Sequence, residues 1–296
     1  MPTVSVIIPT HNRKQRVVRT VESVLGQSFR DFELIVVDDG STDGTTDHLR
    51  SLFQSKIHLL TQEQCGVSAA RNAGTEQSRG QYLSFLDSDD FWHRDKLKVQ
   101  CDFHQQNPQF QISQTEEHWI RHGKRVNPRQ KHQKPTGYIF PQSLHLCTVS
   151  PSSVMIRKSL FDDIGRFDER LKACEDYDLW LRLAASHPVE LIAEKLLTKV
   201  GGHQDQLSAK YPAMDRFRLY SLSKVFLSGV LNDVQMGEVR QVIFEKLAVL
   251  SAGAEKRGRQ TAPLKDLIEN VSRQQITAAD FLLQADSLLL DDTLYL

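Results

Sequence analysis

Three carboxylates, Asp87, Asp89 and Asp90, stand together in Phe85-Leu86-Asp87-Ser88-Asp89-Asp90, directly after the apolar run Tyr82-Leu83-Ser84-Phe85-Leu86. The apolar run reads as a buried strand. Carboxylates crowded at the end of such a strand repel one another unless a cation is shared between them. Hard oxygen ligands of this kind suit Mg²⁺ or Mn²⁺, which take one or two carboxylates and complete their shells with water and phosphate oxygens. The chemistry suggested is a divalent ion gripping a diphosphate. The plainer alternative is that Asp90 caps a helix starting near His93 while its neighbours are solvated.

The elements around these residues follow one scheme. Val4-Ser5-Val6-Ile7-Ile8 is a β-branched run ending at Pro9, and Val17, Val21, Val24 and Leu25 then recur at helical spacing, with a stop at Gly26. Leu34-Ile35-Val36-Val37 and Ile57-His58-Leu59-Leu60 are further strands, and Gly66 to about Ser78 is a helix of small residues. Continuous apolar strands alternating with helices indicate a parallel sheet covered on both faces. Ligands of such sheets bind beyond the carboxyl ends of the strands. Those ends carry Thr10-His11-Asn12-Arg13, Asp38-Asp39 and Asp87-Ser88-Asp89, so three polar clusters are expected on one rim.

After a helix at about Asp95 to Gln105 the pattern changes. Residues 110–156 read as hairpins and loops. A helix begins near Glu175, Val189 to Val200 reads as one or two strands, and the signal is helical from about Tyr211. Acidic and basic residues balance at 37 each, which excludes a global field for nucleic acid. The four cysteines form no Cys-x-x-Cys pair, which fits a reducing compartment. No signal-peptide pattern or membrane-length apolar run is present. The expected location is cytoplasmic, at most peripheral at the inner face of the cytoplasmic membrane.

Five motifs occur in order: Val6-Ile7-Ile8-Pro9-Thr10-His11-Asn12-Arg13, Val36-Val37-Asp38-Asp39-Gly40-Ser41-Thr42-Asp43, Gly66-Val67-Ser68-Ala69-Ala70-Arg71-Asn72-Ala73-Gly74, Asp87-Ser88-Asp89-Asp90 and Glu175-Asp176-Tyr177-Asp178. Together they resemble the inverting, family 2 glycosyltransferases of bacterial type with the GT-A fold, over roughly residues 1–205. The resemblance implies an α/β fold with a mostly parallel central sheet flanked by helices. Residues 1–208 would form the transferase domain, with a nucleotide-sugar-binding half at 1–108 and an acceptor half at 109–208. An all-helical region at 209–296 lies outside the resemblance.

The resemblance also assigns roles. The donor is a nucleoside-diphosphate sugar, most readily a UDP-sugar. Asp39 matches the position that reads the base through a ring N–H, and Thr10, Asn12, Arg13, Arg71 and Asp87 match nucleotide-binding positions. Asp38 is expected to hold its loop through backbone N–H groups. Asp89 matches the metal ligand of an Asp-x-Asp, and His203 a histidine that touches the diphosphate or the Mn²⁺ or Mg²⁺ ion, on a glycine-flanked loop able to close. Asp176 matches the general base that takes a proton from an acceptor hydroxyl. Glu175 and Trp180 are the accompanying acceptor-side candidates, though a tryptophan among leucines, as Trp180 is, more often belongs to the core. The acceptor is a glycan or a lipid-linked glycan.

Two stretches stand apart. Residues 118–161 contain no Asp or Glu, and Arg121, Lys124, Arg125, Arg129, Lys131 and Lys134 gather there. This reads either as a solvated hairpin or as a face for an anionic acceptor or membrane surface. Arg216 to Leu227 alternates apolar and basic residues at helical spacing, which suits a helix packed on the rest of the chain, a homodimer seam or a membrane-surface helix. A sugar nucleotidyltransferase is disfavoured because Pro9-Thr10-His11-Asn12-Arg13 is no glycine-rich triphosphate loop. A dehydrogenase is disfavoured because Gly-x-Gly-x-x-Gly is absent there. The remaining alternative is a catalytically silent nucleotide-binding or scaffold protein of the same fold.

Overall fold

The structure, a computed structural model, describes residues 1–127, 129–203, 210–211 and 213–292. The chain divides into two compact units. The first comprises Met1–Tyr138, Thr148–Glu169 and Pro188–His203, and the second comprises Ile139–Cys147, Arg170–His187 and the described part of Gln204–Leu296.

The first unit is built on a mixed sheet with flanking helices. Its strands are β1 (Val4–Thr10), β2 (Phe32–Asp39), β3 (His58–Gln62), β4 (Tyr82–Phe85), β5 (Phe91–Trp92), β6 (Ile112–Arg121), β7 (Lys124–Val126), β8 (Val154–Arg157) and β9 (Glu190–Gly201), in the order β3-β2-β1-β4-β8-β6-β9-β5 with β7 on β6. The pairs β1–β2, β1–β4, β2–β3 and β6–β9 are parallel, and β4–β8, β6–β8, β6–β7 and β5–β9 are antiparallel. Every residue of β1 is buried, as a strand covered on both faces requires. Helix α1 (Arg16–Leu25) turns Val17, Val21 and Val24 into the same core as Val4, Val6 and Ile8.

Helix α3 (Val67–Glu76) lies close against the sheet. A Cβ on Gly74 would stand 2.6 Å from Ile7 Cγ2 and 3.2 Å from Val37 Cγ2. Close approach at this point fixes the helix that carries Arg71. Gly74→Ala is therefore expected to destabilise the protein by about 1–3 kcal/mol, the cost of overpacking a filled core. A thermal melt unchanged from wild type would contradict it.

The stretch expected to hold hairpins and loops contributes β6 and β8 to the main sheet. Apolar periodicity missed β6 because its buried residues after Ile112 are polar: Ser113, Gln114, Thr115 and Glu117. Ser113 and Glu117 are tolerated there because polar partners meet them. Gln100 Nε2 donates to Ser113 Oγ at 3.1 Å, and His104 Nε2 lies 3.0 Å from the same hydroxyl. Lys134 Nζ pairs with Glu117 Oε2 at 2.8 Å, both side chains 6% exposed. One member of the basic stretch thus serves the interior. Arg121, Lys124, Arg125 and Arg129 are exposed, with Arg125 bonded to His118 Nδ1 at 2.9 Å. Pro128 and the Lys131 side chain lie outside the described residues.

The second unit is helical. It contains α7 (Glu175–Ala184) and the helices Asp215–Phe226, Asp233–Glu255, Ala262–Ser272 and Ala278–Ala285. The helix Asp215–Phe226 buries Phe217, Leu219, Tyr220, Leu222, Val225 and Phe226 together with Arg216. Arg216 donates to the carbonyls of Leu289 and Asp291 at 3.2 Å and pairs with Asp292. A helix buried around most of its circumference has no face left to lie on a membrane, so the surface-helix reading of Arg216 to Leu227 does not hold. Among the described residues, no helix is long and apolar enough to cross a membrane.

Candidate active site

The carboxyl ends of β1, β2, β3 and β4 form one rim of the first unit. Register places Thr10 beside Asp38, and Asp39 beside Gln62. Thr10 is buried, and its hydroxyl has no hydrogen-bond partner among the described residues. The loops after β1 and β2 are joined by side chains. Asn12, held at φ 50°, accepts the Thr42 N–H at 2.8 Å, and its own N–H donates to Ser41 Oγ at 2.8 Å. Asp38 accepts the Ser41 N–H at 3.0 Å and the Thr46 hydroxyl, which is the loop-holding arrangement of a short acid in a turn. Asp39 Oδ1 accepts Gln62 Nε2 at 2.7 Å and the Cys65 N–H at 2.8 Å, and its Oδ2 accepts the Gly66 N–H at 2.8 Å. It thereby joins the end of β2 to the start of α3.

Helix α3 delivers Arg71 to the third cluster. Its guanidinium, 3% exposed, pairs with Asp87 Oδ1 at 2.7 Å. Arg13 reaches from the first loop to Asp89 Oδ2 at 3.0 Å and Ser88 Oγ at 3.3 Å. His203 Nε2 lies 2.8 Å from the same Asp89 oxygen. The turn that brings His203 there passes through Gly202 at φ +87°, where a Cβ would stand 2.9 Å from the His122 ring, so only glycine fits without strain. Residues 204–208, the remainder of the predicted closing loop, lie outside the described residues.

Three carboxylates so close need different environments. Burial pushes Asp87 up, but the charge and hydrogen bond of Arg71, with Lys199 and Arg13, hold it below the ordinary carboxylate range. Burial raises Asp89, with the Asp87 charge adding to it and Arg13 and His203 opposing. Asp90 is raised well above the ordinary range, by burial first and then by Asp89. Its oxygens are nevertheless bonded, to the Val200 N–H and the Ser152 hydroxyl, each at 2.8 Å. Ser152 Oγ also accepts the Asp87 N–H at 3.1 Å, so one hydroxyl clamps both ends of the acidic turn. The helix cap expected of Asp90 is replaced by this interior role, since the next helix, α4 (Lys96–Gln106), begins six residues later.

Lys199, Ser152 and Gln62 were missed from the sequence. Lys199 Nζ donates to Ser150 Oγ at 3.4 Å and its charge favours the carboxylates of Asp87 and Asp90. It sits on β9 in no motif, and only the pairing of β9 with β6 reveals its place. Gln62 carried a faint signal, as the polar residue closing an apolar strand.

The three remaining candidates belong to the second unit. Asp176, in the first turn of α7, accepts the Tyr177 N–H at 2.7 Å. Glu175 and Trp180 are buried, Trp180 to 1% exposure. Asp178 is fully buried and pairs with Arg182 at 2.9 Å and Lys224 at 3.1 Å. Cys174 enters the helix at φ 60°, and burial pushes its thiol up to about 12.

Asp89 Oδ2 and His203 Nε2 converge from different strands on one small region with Asp87 beside it. No cluster of three or more His, Cys, Asp or Glu side chains suited to a metal occurs among the described residues. A carboxylate and an imidazole with open positions suit an ion whose shell is completed by water and phosphate oxygens, so the residues fit Mn²⁺, and Mg²⁺ less well because of the imidazole.

Comparison with known proteins identifies the family. A sequence profile described as Glycosyl transferase family 2 matches residues 5–165. An uncharacterized glycosyltransferase of Rickettsia felis is 34% identical over 205 residues, covering 67% of this chain and 32% of the relative. The chain thus spans about a third of the length of that relative. The UDP-Glc:alpha-D-GlcNAc-diphosphoundecaprenol beta-1,3-glucosyltransferase WfaP of Escherichia coli is 39% identical over 104 residues, covering 35% of this chain and 41% of WfaP. Among solved structures, residues 1–349 of S. aureus TarS in complex with UDP-GlcNAc superpose with a TM-score of 0.66 at 22% identity, covering 98% of this chain and 84% of that one.

Proposed function

The chain belongs to glycosyl transferase family 2, and from that premise we propose that it is a metal-dependent inverting transferase moving a sugar from a UDP-sugar to a hydroxyl of a glycan or lipid-linked acceptor. Its α/β architecture, a mixed sheet with flanking helices and C-terminal helices beyond, is the GT-A type. The observation that carries the proposal is the convergence of Arg13, Arg71, Asp87, Asp89 and His203 at the carboxyl ends of the strands. WfaP, whose name specifies a UDP-Glc donor and a diphosphoundecaprenol-linked acceptor, supports the same classes here.

Asp39 accepts the ring N–H of the base. Arg71 and Arg13 bring fixed positive charge to the diphosphate, where positioned cations stabilise charge that develops on a leaving group. Asp89 and His203 would hold the ion, which when bound neutralises charge on the departing diphosphate as a Lewis acid. Asp176 is assigned as general base. The acceptor oxygen bonds to the anomeric carbon, the bond from that carbon to the diphosphate oxygen breaks, and the hydroxyl proton passes to the Asp176 carboxylate.

Calorimetric titration of UDP, with Mn²⁺ or with chelator, tests the donor site. UDP binding is expected to need the metal. Asp89→Asn is expected to weaken it by on the order of 100-fold, comparable to the cost of disturbing a metal ligand's support. Equal UDP affinity with and without metal would remove the metal role. No binding of any nucleoside diphosphate to folded protein would favour the silent-scaffold alternative.

A further inference from the structure

The hydrogen bonds of Asp39 carry an inference about which base it can read. A carboxylate offers about four lone-pair positions, two on each oxygen. Oδ1 already accepts two donors, Gln62 Nε2 at 2.7 Å and the Cys65 N–H at 2.8 Å. Oδ2 accepts one, the Gly66 N–H at 2.8 Å. One position is left, on Oδ2. The carboxylate is buried at the end of β2, with Gln62 as its register partner on β3, so water does not compete freely for that position.

Bases differ in what they bring to such a group. Guanine presents two adjacent donors, its ring N1–H and its exocyclic amino group, and needs one acceptor on each carboxylate oxygen. Uracil and thymine present a single N3–H between two carbonyls. Cytosine presents its exocyclic amino group beside a bare ring nitrogen, so a carboxylate that accepts the one faces the repulsion of the other. Asp39 as found suits the second group best, which fills its one open position with one donor and leaves no base N–H facing it unmet.

We infer that Gln62 is a positioning residue for base specificity: by filling Oδ1 it leaves Asp39 a single acceptor, so a uracil-type base is taken and guanine is refused. Among the described residues, Gln62 is the one side chain that donates to this carboxylate; the other two donors are backbone groups. The inference rests on the reading of Asp39 as the base reader and adds the residue that limits it. A guanine forced into the site leaves one N–H without a partner. A buried unsatisfied donor costs enough to lower affinity roughly ten- to a hundredfold.

The test is calorimetry of UDP, GDP and CDP, with Mn²⁺, on the full chain and on Gln62→Leu and Gln62→Met, each first shown to fold by its melting curve. Wild type is expected to bind UDP at least about tenfold tighter than GDP, with CDP no better than GDP. In the variants Oδ1 gains an open position. The UDP-to-GDP preference is then expected to shrink by about tenfold through tighter GDP binding, with UDP affinity within about threefold of wild type. A general loosening of the site would weaken both nucleotides together and would overturn the inference. So would an unchanged preference in either folded variant, or wild type binding GDP as tightly as UDP. Those results leave the proposed transferase standing, whereas failure of every nucleotide to bind removes both.

Discussion

Asp176→Asn is expected to lower the rate of sugar transfer by about 10²–10⁴-fold, the range a positioned general base supplies, while leaving UDP affinity and melting temperature unchanged. Asparagine keeps the oxygen that accepts the Tyr177 N–H at 2.7 Å, so the first turn of α7 keeps its bond. What it loses is the capacity to take a proton. On the transition-state scale the loss corresponds to about 3–5 kcal/mol. Measuring transfer and UDP binding on the same sample separates the two effects. A variant that retains more than about a tenth of the wild-type rate would show that Asp176 is not the base.

Two residues along the same helix the expectation inverts. Asp178→Ala is expected to destabilise the second unit by about 3 kcal/mol, the lower part of the range for removing one member of a buried ion pair. Asp178 is fully buried between Arg182 and Lys224, and its removal leaves two cations facing each other. Their side chains are 15% and 24% exposed, so water relieves part of the cost, which is why the lower value applies. Chemical denaturation followed by helical circular dichroism should show the loss as a lowered midpoint. A midpoint equal to wild type would mean that the pair contributes no net stability.

The contrast between Asp176 and Asp178 marks how far the sequence could be read. Glu175-Asp176-Tyr177-Asp178 announces a helix start, and nothing in the run says which acid faces inward. Lys224, which gives Asp178 its structural role, lies 46 residues further along the chain. The rim at the carboxyl ends of the strands was legible for the opposite reason. Thr10, Asp38-Asp39 and Asp87 each follow directly on an apolar strand, and a parallel sheet brings such ends together whatever their separation in sequence. The contacts that complete the rim were not legible. Gly202 and β9 bring His203 to Asp89 across more than a hundred residues, and Ser152 clamps Asp87 and Asp90 from the approach to β8. β6 escaped notice because its buried residues are mostly polar, and Gln100 and His104, the partners of Ser113, lie on a helix that only the fold places beneath it.

The position of β9 has a consequence for how the protein is made. It lies between β6 and β5, yet among the described residues it is the last strand of the sheet in chain order. A ribosome adding roughly 5–20 residues per second holds β6 with one edge unpaired for several seconds while the segment from Lys124 to Val189 emerges. Parallel pairing across such a separation forms slowly, and an uncovered edge invites pairing with another chain. Part of β6 is poorly suited to that error, because Glu116 and Glu117 interrupt it at the point where its register with β9 shifts. The acids that obscure this strand in the sequence also make its open edge a poor template for another chain until β9 arrives.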